Sequence, residues 1–164
     1  MLTRAAVHTK ALIVIDMQEE YAGQTRDKKR YPYNAGPLID AINVRIAGCK
    51  RNNDLIVYVK NSGKSPVASP FVPALQLVSG LVFEKNKASC FSGGSLLAHL
   101  REQKISQIEL AGVDGNYCVG MSALDGAKLG FSICVRLSCV GVANAKKFAS
   151  TKEKLIRANV SVLP

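Results

Sequence analysis

The sequence lacks any long run of apolar residues. Its 164 residues are 48% hydrophobic, yet no segment approaches the roughly 20 consecutive apolar residues that a membrane-spanning helix needs. The N-terminal segment carries Arg4 and Lys10 and no apolar stretch typical of a signal peptide. We therefore expect a cytoplasmic protein without membrane association.

Histidine is scarce and the cysteines are not paired in sequence. The chain has two histidines, His8 and His99, and five cysteines without a CxxC spacing. An odd cysteine count does not indicate a disulfide framework, and the absence of a Cys/His cluster argues against a zinc site. We predict reduced thiols, structural or solvated histidines, no bound metal and no cofactor.

Acidic residues are outnumbered by basic ones. Lys and Arg total 22 against 12 Asp and Glu, which gives a net charge of +10. Such a charge could serve an anionic substrate or a nucleic acid. The basic residues are dispersed, however, with one dense run at 26–30 (RDKKR), and no RNA-binding or finger-like pattern accompanies them. We interpret the charge mainly as a solvated surface, and nucleic acid is not the expected partner.

Short apolar runs alternate with amphipathic segments along the whole chain. This alternation, without a repeat or linker, predicts one domain over residues 1–164 with an α/β fold. We expect a three-layer, doubly wound sheet of about six parallel strands flanked by helices on both faces. The predicted strands are 11–15, 55–59, 81–83, 108–113, 132–137 and 160–163.

Helical spacing marks four segments between these strands. Apolar positions recur over 38–49, after Pro37 in the first turn, then over 96–100 and over 119–127, with Gly130 placed as a terminal glycine. A further helix is predicted after the Ser150–Glu153 capping-box pair. Three prolines and a glycine predict a loop over 61–73.

Three chemically reactive residues follow predicted strands. Asp16 directly follows the first strand, Lys85 follows the third, and Cys118 lies five residues beyond Val113. Taken singly, they could be a helix cap, a solvated lysine and a buried thiol. Because the carboxyl ends of parallel strands meet at one edge, their joint placement predicts a shared site.

Three segments carry a specific resemblance. The segments 11–18 (ALIVIDMQ), 85–91 (KNKASCF) and 111–127 (AGVDGNYCVGMSALDGA) resemble, in order and spacing, the motifs of the isochorismatase-like cysteine hydrolases. This superfamily includes nicotinamidases, isochorismate hydrolases and N-carbamoylsarcosine amidohydrolases. The resemblance extends over about 11–163 and implies a catalytic triad of Asp16, Lys85 and Cys118. A cysteine at a helix start beside an ammonium is also expected to have a lowered thiol pKa.

Further site residues are expected around this triad. The turn that contains Val113, Asp114, Gly115 and Tyr117 is expected to supply oxyanion-hole amides, and similar proteins have a non-proline cis peptide at or beside Val113–Asp114. The predicted substrate pocket consists of Gln18, Tyr21, Cys90 and Phe91. Cys49 and Cys134 are interpreted as packing residues.

The chain departs from parts of the family pattern. Nicotinamidases of the superfamily bind a metal through an Asp-x-His pair and a further His, whereas 60–73 contains neither residue type. Ser138 stands at the end of the fifth predicted strand, where many relatives are acidic. The intact Cys118 argues against an isochorismate hydrolase proper.

These features favour a metal-independent cysteine hydrolase that cleaves an amide or carbamoyl C–N bond of a small molecule. The alternatives are an isochorismate-type ether hydrolase and a non-catalytic or RNA-associated interaction protein on a retained hydrolase fold. Because the chain is short, we expect a homo-oligomer, a dimer or tetramer, in which a neighbouring subunit completes the pocket.

Overall fold

A computed structural model describes residues 9–164, which contain six strands and five helices. The strands are β1 (Lys10–Ile15), β2 (Leu55–Asn61), β3 (Val82–Lys85), β4 (Gln107–Val113), β5 (Ser132–Gly141) and β6 (Ser161–Leu163). The helices are α1 (Glu19–Ala22), α2 (Ala35–Arg51), α3 (Ser95–Glu102), α4 (Cys118–Lys128) and α5 (Ala145–Arg157). His8 lies outside the described residues.

The six strands form one parallel sheet in the order β3-β2-β1-β4-β5-β6. Side chains of β1 alternate between its faces, so that Leu12 and Val14 pack towards α2 while Ile13 and Ile15 pack towards α3, α4 and α5. All four are fully buried, and each such side chain contributes about 1.5–3 kcal/mol of apolar transfer free energy. The predicted three-layer α/β fold is confirmed.

A proline and a glycine that were predicted to lie at helix ends do so in the structure. Pro37 lies in the first turn of α2, and Gly130, with φ of 94°, follows the end of α4. The described segment 62–81 contains no helix and no sheet strand, although Phe71 forms an isolated bridge with Gln18. The short helix α1 was not predicted.

Two predicted boundaries are wrong. Helix α5 begins at Ala145, and its N-cap is Asn144, whose side chain accepts a hydrogen bond from the Lys147 amide at 3.0 Å. Ser150 therefore lies inside the helix, and the Ser150–Glu153 pair is not its capping box. Strand β5 continues to Gly141, so Ser138 is an exposed residue within the strand rather than its end.

None of the helices formed by residues 9–164 is long and apolar enough to cross a membrane.

The cap of α5 provides a direct stability test. Asn144→Ala removes the acceptor for the Lys147 amide and is expected to lower the free energy of unfolding by about 1 kcal/mol. Ser150→Ala, the matched control within the same helix, is expected to change it by less than about 0.5 kcal/mol. Urea denaturation measures both variants. A larger loss of unfolding free energy for Ser150→Ala than for Asn144→Ala would indicate that the Ser150–Glu153 pair caps the helix after all.

Candidate active site

Asp16, Lys85 and Cys118 lie together at the carboxyl edge of the sheet. Asp16 directly follows β1, Lys85 ends β3, and Cys118 is the first residue of α4. The Lys85 Nζ lies 3.0 Å from Asp16 Oδ2 and 3.2 Å from Cys118 Sγ. The site adjoins the junction of β1 and β4, where the chain reverses its direction across the sheet and where ligands of such folds bind.

The Lys85 ammonium is fully engaged. Besides the Asp16 carboxylate and the Cys118 sulfur, it donates to the Lys87 carbonyl at 3.1 Å, so each of its three hydrogens has an acceptor. The side chains of Lys85 and Asp16 are only 1% and 3% exposed. A buried ion pair persists only with such partners, and these contacts fix the three residues relative to one another.

Asp16 has the features of a buried base. Its φ of 55° is left-handed, a conformation that non-glycine residues rarely adopt and that is often found at functional sites. Oδ2 accepts from Lys85, whereas the buried Oδ1 has no hydrogen-bond partner among the described residues. Burial raises the pKa of the carboxyl group although Lys85 opposes the shift. One oxygen is held and the other is free to receive a proton.

The predicted lowering of the Cys118 pKa is wrong. Burial, followed by the negative charge of Asp16, raises the pKa of this thiol to about 12, and Lys85 opposes the rise. The helix start and the cation favour the thiolate, whereas the loss of water around the sulfur favours the neutral thiol. Burial thus favours the neutral thiol of Cys118 over the thiolate.

The turn before α4 is organised by Asp114. The Val113–Asp114 peptide is cis. The Asp114 carboxylate accepts hydrogen bonds from the Tyr33 hydroxyl at 2.8 Å, the Ala143 amide at 2.7 Å and the Asn116 amide at 2.7 Å. Three donors from separate places in the chain thus hold the turn that presents Cys118.

Most amides of this turn are already occupied. The Gly115 amide donates to the Gly141 carbonyl, and the Tyr117 amide donates to the Asp114 carbonyl. The expectation that these two residues supply oxyanion-hole donors is therefore corrected. The Cys118 amide has no hydrogen-bond partner in the described backbone, and at the start of α4 it is a donor available to an oxyanion.

A cavity of about 560 Å³ opens beside the three residues, and we call it the triad cavity. Asp16 and Cys118 line it, together with the predicted Tyr21, Val113, Asp114 and Tyr117. Residues that the sequence reasoning missed complete the lining: Glu20, Arg30, Tyr31, Tyr33, Asn61, Gly63 and Lys64. The two tyrosines of the 30–33 segment (RYPY) were a usable signal, because aromatic residues beside basic ones often mark binding surfaces.

Gln18, Cys90 and Phe91 do not line the triad cavity, contrary to prediction. The buried Gln18 amide donates to the carbonyls of Asn61 and Ser69 and accepts from the Asn61 amide. Its function is to attach the segment after β2 to the end of β1. Cys90 and Phe91 belong to the hydrophobic core on the α3–α5 face.

The basic run at 26–30 has two different roles. The Arg26 guanidinium donates to the carbonyls of Gly23, Tyr31 and Tyr33 at 2.7–2.9 Å. It thereby fixes the loop that brings both tyrosines to the triad cavity. Residues 27–30 are exposed, as predicted for a solvated run.

The remaining cysteines and His99 lie away from the triad cavity. Cys49 is fully buried against the α2 side of the sheet, and Cys134 is half-buried in β5. His99 is half-buried, with its ring centroid 5.6 Å from that of Phe83. Within residues 9–164, no group of three or more His, Cys, Asp or Glu side chains could hold a metal ion.

The fold and the site define a class: a doubly wound α/β protein with a carboxylate, an ammonium and a thiol grouped near its switch point. The isochorismatase domain model matches residues 10–161. The chain therefore belongs to the isochorismatase family of hydrolases.

Sequence identity to an individual relative extends over only part of the chain. An uncharacterized isochorismatase family protein of Bacillus subtilis (strain 168), PncA, is 38% identical over 66 residues, which are 40% of this chain and 36% of that protein. The match thus spans little more than a third of that relative.

Solved structures share the fold over nearly their full length. An isochorismatase family protein from Desulfovibrio vulgaris subsp. vulgaris str. Hildenborough has a TM-score of 0.84 at 16% identity, with 96% of this chain and 94% of that chain covered. N-carbamoylsarcosine amidase from Thermoplasma acidophilum has a TM-score of 0.79 at 22% identity, with 94% and 95% covered. Nicotinamidase PncA from Bacillus subtilis has a TM-score of 0.75 at 21% identity, with 95% and 99% covered.

The opposing influences on Cys118 predict opposite effects of two substitutions. Asp16→Asn removes the negative charge that raises the thiol pKa, so the iodoacetamide labelling profile should move to lower pH. Lys85→Met removes the cation that lowers the pKa, so the profile should move to higher pH. Mass-spectrometric mapping of labelling rates against pH measures both shifts.

Asp125→Asn, on the same helix as Cys118, is the matched control and should leave the profile unchanged. Movement of both test variants in the same direction would contradict the electrostatic account of the thiol.

Proposed function

We propose that this chain acts, as a single domain over residues 1–164, as a metal-independent cysteine hydrolase. It cleaves an amide or carbamoyl C–N bond of a small molecule through a thioester on Cys118. The observation that carries the proposal is the Lys85 ammonium, which lies within hydrogen-bond distance of both the Asp16 carboxylate and the Cys118 sulfur. A nucleophile and a base thus line the same cavity, and the cation that contacts both lies behind them.

In the first half-reaction, Asp16 accepts the thiol proton while the Cys118 sulfur attacks the carbonyl carbon. The raised pKa of Asp16 makes it a stronger base than an ordinary aspartate. Negative charge develops on the carbonyl oxygen, and the free Cys118 amide donates to it. Protonated Asp16 then gives its proton to the departing nitrogen, the C–N bond breaks, and an amine or ammonia leaves.

In the second half-reaction, water replaces the departed amine. Asp16, again a carboxylate, removes a proton from this water as its oxygen attacks the thioester carbon. The C–S bond breaks, the proton returns to sulfur, and the acid product leaves. Lys85 keeps its three acceptors throughout and stabilises whichever of its two partners is anionic.

The named relatives support a C–N bond as the target. One structural relative is described as an N-carbamoylsarcosine amidase and another as a nicotinamidase, and both names refer to the hydrolysis of a C–N bond. The retained thiol of Cys118 favours the same chemistry over that of an ether hydrolase, because a vinyl ether offers no carbonyl carbon for thioester formation.

A panel of small amides and carbamoyl compounds tests the proposal, with ammonia release as the readout. The wild-type protein should hydrolyse at least one member, and Cys118→Ala should lower kcat by at least about a thousandfold because the nucleophile is lost. Cys134→Ala, a change in a half-buried strand residue, should retain activity. Turnover that survives Cys118→Ala would exclude the thioester route, and a protein inert towards the whole panel would favour the interaction-protein alternative.

The acid limb of the rate profile reports on Asp16. Because burial raises the pKa of this base, kcat/KM should fall on acidification at a pH above the ordinary aspartate pKa of 3.8. Lys85→Met removes the charge that opposes this rise. The residual activity should therefore begin to fall on acidification at a still higher pH than in the wild type. Lys50→Met, which changes an exposed lysine in the last turn of α2, is the control. If the acid limb lies at the same pH in Lys85→Met and in the wild type, the assignment of Asp16 as the general base is contradicted.

A further inference from the structure

A second hollow adjoins the triad cavity. It has a volume of about 470 Å³ and is lined by Lys29, Arg30 and Asn144, and we call it the outer groove. Tyr33 and Tyr117 line both spaces. A molecule whose reacting carbon lies at Cys118 can therefore extend past Tyr117 into the outer groove.

Three cations without carboxylate partners lie in or beside the outer groove. Lys29 and Arg30 line it with exposed side chains. The Lys147 Nζ lies 4.2 Å from the Tyr117 ring centroid and donates to its hydroxyl at 2.9 Å. Within residues 9–164, no carboxylate oxygen lies within 4.0 Å of the charged nitrogens of these three residues.

Two acidic residues lie near the outer groove, and neither forms an ion pair there. The Asp114 carboxylate lines it but already accepts three hydrogen bonds, from Tyr33, Asn116 and Ala143. The Asp27 carboxylate accepts from the backbone amides of the turn that carries Lys29. Because three cations stand against these two carboxylates, the outer groove carries an excess of positive charge, and such a hollow concentrates anions.

The triad cavity itself has no comparable bias. It is lined by three acidic residues against two cations, Arg30 and Lys64, and Arg30 is shared with the outer groove; the acidic residues are Asp16, Glu20 and Asp114. Between the two spaces stand flat rings: Tyr117 is 52% exposed, and the rings of Tyr31 and Tyr33 are nearly parallel with centroids 6.4 Å apart. Aromatic walls of this kind suit a planar group.

We propose that the substrate is an anionic amide, in which a planar group joins the scissile amide or carbamoyl carbon at Cys118 to a carboxylate or phosphate in the outer groove. Lys29, Arg30 and Lys147 are the residues that select this anion. The inference rests on the proposed hydrolysis and adds the charge and the shape of the substrate.

Matched probes test this selection. Benzamide is compared with benzamides that carry a para carboxylate on arms of increasing length, and with the methyl ester of each as a neutral control. Hydrolysis is followed by ammonia release, and binding to Cys118→Ala protein by calorimetry at low and raised salt. Phosphonates in place of the carboxylates distinguish the two kinds of anion.

One arm length should be preferred over benzamide and over its own ester, and raised salt should weaken its binding. The double variant Lys29→Gln/Lys147→Gln should lower the ratio of kcat/KM between acid and ester about fivefold to tenfold, because two favourable charges are lost. Lys28→Gln, an exposed lysine that does not line the outer groove, should leave this ratio unchanged.

The two readouts separate the inference from the proposed function. Salt-sensitive binding of the acids that the double variant weakens, without any turnover, supports the anion site and counts against the hydrolase. If acid and ester are hydrolysed equally fast and bound equally tightly, the anion site is overturned, whereas the proposed hydrolase activity is not affected. An effect of Lys28→Gln as large as that of the double variant also overturns it, since the preference then comes from net charge alone.

Discussion

The site depends on one buried charge, the ammonium of Lys85. An ammonium taken out of water needs an acceptor for each hydrogen, and these come from Asp16, Cys118 and the Lys87 carbonyl. Lys85 ends the edge strand β3, two strands away from β1, so its long side chain must pass the end of β2. Removing one partner of a buried pair costs about 3–5 kcal/mol, which couples the alignment of these strands to the geometry of the site.

The segment that leads from β4 to Cys118 runs against β1 in a conformation that requires glycine. Gly112 pairs with Ile15 and has a φ of 118°. A Cβ at this position would lie 2.0 Å from the Ile15 carbonyl oxygen, so only glycine fits without displacement of the strand. Gly120 plays a similar part, since a Cβ there would lie 2.5 Å from the Gly115 carbonyl oxygen. These two glycines set how near Cys118 stands to Asp16.

Part of this arrangement could be predicted from sequence, for a physical reason. Apolar runs mark strand ends, and parallel strands end at one edge, so residues such as Asp16 that follow those runs are brought together. The path of a loop is not marked by any such pattern of apolar residues. Tyr31 reaches the triad cavity because Arg26 binds three carbonyls of its loop, while Phe91 returns to the core although it lies close to Lys85 in sequence. The thiol pKa also depended on burial, which neighbouring residues in sequence do not reveal.

Because Asp16, Lys85 and Cys118 are largely buried, a net charge on these three residues together would be energetically costly. Before reaction, a carboxylate, an ammonium and a neutral thiol sum to zero. In the proposed reaction, transfer of the proton from Cys118 to Asp16 leaves a neutral acid, an ammonium and a thiolate, which again sum to zero. The low-dielectric surroundings that raise the pKa of both groups therefore oppose this transfer far less than they would oppose loss of the proton to solvent. Lys85 lies within hydrogen-bond distance of both atoms that hold the negative charge in turn, so the cation serves each state without moving.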